Sequence, residues 1–412
     1  MVETQNSYDV VIVGGGLVGI ALACALGDQP LRVAVIEALP FETNRSASYD
    51  DRTIALAYGA RPIFEAMGVW QQLAADVTAI KRIHISDRGH FGAARLDCND
   101  VGCEALGYVV PSRCMGEVLM ARVAQFDNVE LLCPARVTSL EQDEHAATIV
   151  IEREGEQQML RSGLLVVADG THSAIREQLQ VAVDRHDYGQ RGVIANVTPS
   201  RHHDNVAFER FTDSGPMAML PMDESRCALV WTVSEARADE LLTLDDEAFL
   251  AELQDRFGNR LGRFEKVGNR AAHSLMQIVA QEQVRDRLAL IGNAAHTLHP
   301  VAGQGFNLGL RDVAVLADLI NTAAVSGEDV GSATLLADYA EWRRNDQRYI
   351  IGFTDSLVRL FASPLLPIKA ARSAGLVALD LLPPLKRWLT RHAMGLGGKL
   401  PRLSRGLPLQ EK

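Results

Sequence analysis

The fold of this chain is decided by residues 8–19, which read YDVVIVGGGLVG. Tyr8–Val13 is an almost wholly apolar run, as expected of a parallel strand that is buried on both faces. The glycine turn follows at once, and Leu17–Leu26 reads as a helix of small residues. A second apolar run, Arg32–Ile36, ends in Glu37. This order of strand, G-x-G-x-x-G turn, helix, strand and acid predicts a Rossmann-like α/β fold that binds an ADP-containing dinucleotide.

The residues of this turn have separate predicted roles. Gly14 makes the tight turn, Gly16 lets the backbone approach a pyrophosphate, and Gly19 lets helix and strand pack closely. Glu37 bonds the ribose hydroxyls. The alternative is a chance glycine cluster, which the complete β-α-β context disfavours. The pattern indicates a nucleotide and does not say which one.

A second glycine-rich turn lies far along the chain, at residues 292–309, which read GNAAHTLHPVAGQGFNLG. A strand-like run, Leu288–Ile291, precedes it, and the apolar residues of Leu310–Ile320 recur at helical spacing. Such a turn presents backbone N–H groups and a positive helix end. These features suit an anionic ligand group, or a ring that becomes anionic when it is reduced. The alternative is a surface loop whose glycines only permit a sharp bend.

A third candidate turn leaves the predicted strand Leu164–Ala168. It begins with Asp169 and Gly170 and continues to Arg176. Ligands of open α/β sheets bind at the carboxyl ends of the strands, so this turn is well placed to reach the nucleotide. The alternative for Asp169 is an N-cap of the helix that follows.

Two arginines accompany predicted helices. Residues 50–56 are expected to open a helix that continues towards Met67, in which Arg52 is either a surface residue or a cation that reaches phosphates. Sequence physics alone favours the surface. Arg113 stands at the start of a helix through about Ala124. Three short strands are predicted to form an antiparallel insertion in the dinucleotide fold: Val129–Leu132, Arg136–Glu141 and Ala147–Glu152.

The region from Val193 to Val233 has a β pattern with turn signals between its last three runs. We expect a mixed or antiparallel sheet that forms a wall of a substrate-side layer. Its inward positions are predicted to be Met217, Met219, Leu229 and Trp231. The alternative is that these side chains are plain core.

The charge of the chain is uneven. The net charge of −11 argues against nucleic acid as a partner. Residues 355–412, however, hold ten Lys and Arg against three Asp and Glu, among aliphatic segments that Pro364, Pro367, Pro383 and Pro384 interrupt. This tail predicts contact with an anionic membrane surface, and its alternative is a terminal helix pair packed on the body. Neither a signal peptide nor a run of roughly 18 apolar residues is found, so we expect a cytoplasmic protein, associated at most with the inner face of the membrane.

Other chemistries lack their motifs. The sequence contains no G-x-S-x-G elbow, no H-E-x-x-H, no Walker lysine and no second G-x-G-x-x-G. The nearest histidine pairs, including His296 and His299, lack convincing companions, so no metal is assigned. One fingerprint with ligand turns spread over the whole chain suits FAD as the bound cofactor, with a nicotinamide as a visiting reductant.

The three motifs together resemble those of the single-component (class A) flavoprotein aromatic hydroxylases, whose fold is like that of p-hydroxybenzoate hydroxylase. Within that family the sequences DRTIAL (residues 51–56) and HPVAGQGFNLGLRD (residues 299–312) are similar to the ubiquinone-biosynthesis hydroxylases. Most of the family has Gly-Asp where this chain has Gly292-Asn293. Asparagine there resembles the 2-polyprenyl-6-methoxyphenol hydroxylase branch, as do residues 195–197 and 208–212.

The resemblance implies a role for each candidate site residue. Gly14, Gly16, Gly19 and Glu37 would hold the ADP half of FAD. Arg52 and Arg113 would reach the pyrophosphate and ribityl region, and Asp169 with Gly170 would lie along the cofactor. Asn293, next to Gly292, would bond the ribityl chain. The residues that would face the isoalloxazine are Pro300, Gly303, Gln304 and Gly305.

The implied activity is an FAD-dependent monooxygenase reaction that uses NAD(P)H and O2 to hydroxylate a polyprenylated phenol. Other ubiquinone-biosynthesis proteins are the implied partners. No base for the phenol proton is assigned. His299 is a weak candidate, and the favoured interpretation is a structural neighbour of Pro300. Two alternatives stay open: a sister hydroxylase for another ring position or another aromatic, and a non-catalytic lipid-binding subunit of the biosynthetic complex.

The predicted domain organisation is discontinuous. Residues 1–80, 107–190 and 270–330 are expected to form the FAD-binding domain. Residues 81–106 and 191–269 are expected to form the substrate-side β-sheet domain. Residues 331–412 would be a helical, basic region.

Overall fold

A computed structural model describes residues 6–41, 52–363 and 365–409 of the chain. Its strands are β1 (Asn6–Val13), β2 (Val33–Ile36), β3 (Thr53–Ala57), β4 (Thr78–Ile80), β5 (Arg82–Asp87), β6 (Ala93–Asp97), β7 (Gly107–Pro111), β8 (Val129–Leu132), β9 (Arg136–Gln142), β10 (Ala147–Arg153), β11 (Glu156–Val167), β12 (Val183–Pro199), β13 (Val206–Thr212), β14 (Gly215–Pro221), β15 (Cys227–Ser234), β16 (Phe264–Val267), β17 (Ala271–Ala280), β18 (Val284–Arg285), β19 (Leu288–Leu290) and β20 (His296–Thr297).

The helices follow the same chain order. They are α1 (Leu17–Ala25), α2 (Ala60–Ala66), α3 (Trp70–Leu73), α4 (Ser112–Val123), α5 (Ala174–Gln178), α6 (Glu235–Thr243), α7 (Asp246–Phe257), α8 (Gln304–Ser326), α9 (Ala333–Ala362), α10 (Leu366–Leu381) and α11 (Pro383–Ala393).

The first sheet has the strand order β18-β19-β11-β1-β2-β8. Strand β1 pairs in parallel with both β11 and β2, and the helix α1 connects β1 to β2. The predicted β-α-β unit is therefore confirmed. The buried faces of β1 pack into two separate hydrophobic clusters, which explains why its sequence is apolar at successive positions.

One strand of the predicted antiparallel insertion belongs elsewhere. β9 and β10 pair antiparallel with each other, and β10 with β11. β8, however, pairs in parallel with β2, with Val129 opposite Val33. The prediction for Val129–Leu132 was wrong because a short apolar run does not reveal which long-range partner it will find.

The second sheet has the order β20-β17-β12-β15-β14-β13-β5-β6 and is mixed, since β13 pairs in parallel with β5. A third, small sheet has the order β3-β7-β4. It corrects the helix predicted from residue 50. Residues 50 and 51 lie outside the described residues, Thr53–Ala57 is a strand, and the helix begins only at Ala60. Pairing with β7, which sets Ile54 opposite Val110, overrides the local helical pattern.

The methionine and tryptophan side chains of the second sheet pack against helices α6 and α7. Met217, Met219, Leu229 and Trp231 are buried in one cluster with residues of α6 and α7, including Leu241 and Phe249. The ring centroids of Trp231 and Phe249 lie 6.0 Å apart. The alternative of a plain core is therefore correct for these positions, and the opposite face of the sheet is the one available to a ligand.

The C-terminal helices pack on this architecture. α8 contacts both α1 and α9, and α10 contacts β6. The buried guanidinium of Arg372 lies 2.9 Å from the carboxylate of Asp87, so part of the basic tail is tied to the body. Over the described ranges, no helix is both long enough and apolar enough to cross a membrane.

Candidate functional site

The three glycines of the dinucleotide turn differ in the space that the structure leaves for a Cβ atom. Gly14 has a φ of +107°, and a Cβ there would come within 2.4 Å of the Ala168 carbonyl oxygen. A Cβ at Gly19 would lie 1.9 Å from the carbonyl oxygen of Gly14. Gly16, by contrast, is exposed and has no heavy atom within 4 Å of a Cβ. Two glycines are therefore fixed by close backbone packing, and the third opens onto a free cradle.

Glu37 follows β2 and lies beside this turn. Its carboxylate accepts the N–H of Gly15 at 2.7 Å and the N–H of Leu39 at 2.8 Å. The acid is thus positioned at the carboxyl end of the strand next to the free cradle at Gly16, where a ribose would lie if the cradle holds a pyrophosphate.

The second glycine-rich turn meets the first in space. Gly292, with a φ of +58°, would place a Cβ 3.0 Å from the side chain of Val18 in α1. A Cβ at Gly309 in α8 would lie 3.1 Å from the Cα of Gly292. The start of α1, the loop after β19 and the first turns of α8 therefore converge, although almost 300 residues separate them along the chain.

A buried carboxylate holds this loop in place. Asp312 of α8 accepts the N–H of Gly292 at 3.1 Å and lies 2.6 Å from Nε2 of His296. From α9, Arg343 and Gln347 donate to its other oxygen at 2.7 Å and 3.0 Å. Burial raises the pKa of Asp312, but the facing His296 and Arg343 outweigh it and lower the pKa well below its ordinary value. Asp312 is the last residue of the stretch 299–312 that carries the resemblance, yet its spacing gave no sign that it anchors the loop.

The Asp169 turn joins the same site. A Cβ at Gly14 would lie 2.8 Å from the backbone nitrogen of Asp169. One carboxylate oxygen of Asp169 accepts the N–H of Ile175 at 3.3 Å, while the other is buried without a partner in the described structure. Burial raises the pKa of this carboxyl. The cap of α5 is Ser173, whose hydroxyl accepts the Arg176 N–H at 3.0 Å, so Asp169 is not the N-cap.

Arg176 clamps two of the turns together. Its buried guanidinium donates to the carbonyl of Ala294 at 2.9 Å and to the carbonyl of Thr171 at 2.9 Å. The hydroxyl of Thr297 also donates to that of Thr171, at 3.2 Å. Gly170, with a φ of +90° and no atom near a Cβ, leaves the surface between them open.

The loop before α8 has an unusual backbone. Ala302 and Gly303 both have left-handed φ values, of +58° and +59°. For alanine this conformation costs roughly 1 kcal/mol, so neighbouring contacts must enforce it. Asn307 supplies them, because its amide donates to the carbonyls of Gly303 and Ala55 at 2.8 Å each. Its carbonyl oxygen accepts the N–H of Ala57 at 2.7 Å, which ties the loop to β3.

The remaining predicted residues surround this loop. Gly305 has no atom near a Cβ, and Gln304 donates to the carbonyl of Ala302 at 3.1 Å. Pro300 and Asn293 are exposed on the rim. Their placement leaves the face of the loop accessible.

The two arginines lie near each other on the α4 side. Arg52 is exposed at the start of β3, and its carbonyl accepts the N–H of Ser112 at 2.8 Å. Arg113 follows in the first turn of α4, where it pairs with Glu117 at 2.9 Å. Since α4 packs on α1, Arg113 belongs to an element that borders the dinucleotide turn.

His299 is a structural residue. It is fully buried, its Nδ1 accepts the N–H of Val301 at 3.2 Å, and the ring of Tyr188 meets it edge-on at 5.1 Å. Burial lowers its pKa to about 4, so the imidazole is neutral near pH 7. With Nδ1 already accepting a hydrogen bond, the proton of the neutral ring is on Nε2, and His299 is a poor acceptor for a substrate proton.

Comparisons with known proteins agree with this arrangement. Residues 7–353 match the model of a family described as FAD binding domain. The chain is 40% identical over 407 residues to the ubiquinone hydroxylase UbiL of Rhodospirillum rubrum. This alignment covers 97% of this chain and 93% of that protein. It is 31% identical to the mitochondrial ubiquinone biosynthesis monooxygenase COQ6 of Xenopus tropicalis, over 94% of this chain and 93% of that protein.

The fold also has a solved counterpart. The crystal structure of p-nitrophenol 4-monooxygenase PnpA from Pseudomonas putida superposes with a TM-score of 0.79, at 18% identity, over 96% of this chain and 100% of that chain. The chain belongs to the FAD binding domain family, among flavin-dependent aromatic hydroxylases. The predictions of the fold class, of FAD as the cofactor and of a monooxygenase are confirmed.

Proposed function

We propose that this member of the family hydroxylates the aromatic ring of a polyprenylated phenol in ubiquinone biosynthesis, with NAD(P)H and O2 as co-substrates. One observation carries the proposal. Val301, in the loop before α8, packs in one hydrophobic cluster with Phe211 and Ile85 of the second sheet. The loop that would face the flavin ring therefore lies against one part of this sheet face, and a ring substrate bound on the face beside that contact would meet the reactive end of the cofactor.

The chain's own residues fit FAD. The open cradle at Gly16, with Glu37 beside it, suits the ADP half, and the exposed Asn293 suits the ribityl hydroxyls. The unpartnered oxygen of Asp169 offers an acceptor along the cofactor's path. The flavin, when bound, supplies the two-electron chemistry that activates O2 for transfer of one oxygen atom. The helix end and loop amides at Gly305 would favour negative charge on the reduced ring.

The class of substrate is supported by the relatives and by sequence. Of the two relatives that align over more than nine-tenths of the chain, one is named a ubiquinone hydroxylase and the other a ubiquinone biosynthesis monooxygenase. Asn293 and residues 208–212 resemble the branch that acts on 2-polyprenyl-6-methoxyphenol. We therefore propose conversion of this phenol to the 1,4-benzoquinol, and hydroxylation at another ring position is the rival outcome.

The C-terminal helices would bring the enzyme to such a lipid. Large apolar side chains are exposed where α10 meets α11: Leu381 is 70% exposed, Leu382 51%, Leu385 44% and Trp388 49%. Phe91, 85% exposed, borders the same cavity as Leu381. We propose that this surface, called the apolar edge below, contacts the inner face of the membrane, where other ubiquinone-biosynthesis proteins would also be met.

The test is a deletion of the gene in its host, with mass spectrometry of the prenylated lipids. We expect 2-polyprenyl-6-methoxyphenol to accumulate and the wild-type gene to restore the quinone. A Gly16→Trp copy should fail, because the indole would fill the open cradle. A Gly352→Trp copy is the matched control, since Gly352 is exposed on α9 and equally free of neighbours.

Other results would revise the proposal in defined ways. Accumulation of an earlier or a later phenol would keep the flavin chemistry and move the ring position. An unchanged quinone level with no new lipid, in a host without a second hydroxylase, would refute the ubiquinone assignment. A purified protein that is colourless and does not take up FAD would favour a non-catalytic lipid-binding subunit.

A further inference from the structure

A single glutamate stands in the middle of the ligand-side face of the second sheet. Glu209 lies on β13, with Ala218 of β14 opposite it on one side and Ile85 of β5 on the other. Side chains alternate along a strand, so Ala207, Glu209 and Phe211 share one face. Phe208 is on the other face, where it packs into the cluster that contains Met217 and Trp231.

The surroundings of that face define where Glu209 points. Ala207 clusters with Val109 of the third sheet, and Phe211 clusters with Val301 of the loop before α8. Glu209 is placed between these two contacts. Its side chain therefore enters the layer between the second sheet and the loop that would face the flavin.

The carboxyl of Glu209 has no internal partner. No hydrogen bond or ion pair to it exists within residues 6–41, 52–363 and 365–409. The residue is half-buried although β13 is an interior strand, so its remaining exposure opens onto the ligand-side face. Burying a carboxyl group in an apolar layer without a hydrogen-bond partner costs free energy of folding, and a bound ligand that supplies the partner would offset this cost.

Among the described residues, the other titratable groups that face this layer include Asp87, His299 and His273. Asp87 of β5 is paired with Arg372, and His299 of the loop is neutral. His273 of β17 lies near Arg52 at the rim, which helps to lower its pKa after burial. None of them shifts the pKa of Glu209, which burial alone raises to about 8.

We propose that Glu209 binds the hydroxyl group of the phenol substrate and accepts its proton during hydroxylation. This inference rests on the proposed function and assigns the base that the sequence does not. The O–H bond of the phenol breaks, its electron pair stays on the ring oxygen, and the proton moves to the carboxylate. One oxygen atom of O2 bonds to a carbon of the resulting electron-rich ring, and the hydrogen of that carbon moves as a proton to the new oxygen. NAD(P)H supplies a hydride, which is two electrons and one proton, and with one further proton from solvent the second oxygen atom leaves as water. Glu209 then returns its proton to the ring oxygen of the quinol.

Glu209 is a better proton acceptor for a phenol than a carboxylate with an ordinary pKa would be. A phenol titrates near pH 10 and a free glutamate near 4.3, so proton transfer between them is strongly uphill. A carboxyl with a pKa of about 8 narrows that gap. It also predicts that the fraction of enzyme with an ionised Glu209 rises through pH 8.

The test uses the purified holoenzyme and two short probes: 2-geranyl-6-methoxyphenol and its O-methyl ether, which lacks the hydroxyl proton. Binding is followed at pH 9 by the flavin absorbance. We expect the wild type to bind the phenol about tenfold more tightly than the ether, since a hydrogen bond to a charged group favours the phenol. Glu209→Gln should lose most of this preference and keep its FAD. Glu265→Gln, an exposed change on β16 of the same sheet, should behave as the wild type.

Turnover of the phenol gives the second readout. We expect product formation by Glu209→Gln to fall about 100-fold, in the range of general base catalysis, and wild-type activity to rise to a plateau with an apparent pKa near 8. A Glu209→Gln enzyme that keeps the preference and the rate, or a flat wild-type pH profile where the hydroxylation step limits turnover, would overturn the inference. A wild type that prefers the phenol but hydroxylates no probe would instead refute the proposed function alone.

Discussion

The carboxylate of Asp312 accepts the backbone N–H of Gly292 at 3.1 Å, across 20 residues of chain. This contact fixes the loop that leaves β19 to the helix α8 that follows it. The same carboxylate faces His296 and Arg343, so loop, helix and the neighbouring α9 are held by one buried group. Because Gly292 also packs against Val18 of α1, the hydrogen bond positions the second glycine-rich turn over the first.

We expect Asp312→Asn to destabilise the protein by about 3–5 kcal/mol. The amide leaves the buried Arg343 without its full counter-charge, and removing one partner of a buried pair costs that much. FAD content after purification should fall as well, because the Gly292 loop loses its anchor. Thermal denaturation and the ratio of flavin to protein absorbance measure the two effects. Asp338→Asn, an exposed change on α9, should alter neither.

We expect substitutions of Gly19 and Gly16 in the dinucleotide turn to cause two different defects. At Gly19 even a Cβ would lie 1.9 Å from a backbone oxygen, so Gly19→Ala must displace α1 from β1 and lower the melting temperature. At Gly16 a Cβ has free space, so Gly16→Ala should keep the melting temperature of the apoprotein. It should nevertheless weaken FAD binding by about tenfold, or ~1.4 kcal/mol, because the methyl group enters the cradle. Calorimetry and FAD titration separate the two, and equal melting temperatures for both variants would contradict the packing argument.

The sequence alone predicted the parts of this site that depend on local order. The strand, turn, helix and acid around Gly14 follow from periodicity and spacing, and so does the position of Asp169 after a buried strand. The sequence did not predict which strands pair over long distances along the chain. The pairing of β8 with β2 and of β3 with β7 is decided by chain segments about 55–100 residues away.

The faces of the second sheet show the same limit. Alternation along β14 and β15 correctly groups Met217 with Met219 and Leu229 with Trp231, but it does not say which face meets the helices and which meets the ligand. Only the packing of α6 and α7 shows that the large side chains are core. Glu209 lies in a stretch that the resemblance singled out, yet the role we propose for it could be inferred only once its face of the sheet was known.

Glu209→Gln should make the protein more stable at alkaline pH. The pKa of this carboxyl is about 8 in the folded state against 4.5 as its reference value, so folding requires proton uptake between these two pH values. The wild type therefore loses stability as pH rises from 4.5 to 8, and the loss then levels off. One pKa unit corresponds to ~1.4 kcal/mol, and discounting for the partial exposure of the residue leaves about 1–3 kcal/mol in favour of the variant at pH 9.

Urea denaturation at pH 5 and pH 9 tests this. The two proteins should differ little at pH 5 and clearly at pH 9. Glu265→Gln should show no such pH-dependent gain. A Glu209→Gln protein that is less stable than the wild type at pH 9 would mean that the carboxylate has a stabilising partner in the folded protein.

The apolar edge predicts a membrane affinity that can be removed without touching the site. Leu381 and Leu385 are 70% and 44% exposed on α10 and α11. Serine at both positions removes about 2 kcal/mol of apolar transfer free energy if each side chain is partly inserted, which corresponds to a roughly 30-fold weaker partition into vesicles. Co-sedimentation with vesicles of anionic phospholipid measures it. Val325→Ser, which changes an equally exposed valine at the end of α8, should leave partition unchanged.

The salt dependence of that partition distinguishes two sources of affinity. Lys386 is 2.8 Å from Asp100, and Arg372 is buried against Asp87, so these basic side chains are already paired within the protein. If the apolar edge carries the contact, vesicles of neutral lipid should retain most of the binding and added salt should weaken it little. Binding that is lost in salt and absent on neutral vesicles would show that other basic residues of the tail, and not the leucines, attach the enzyme to the membrane.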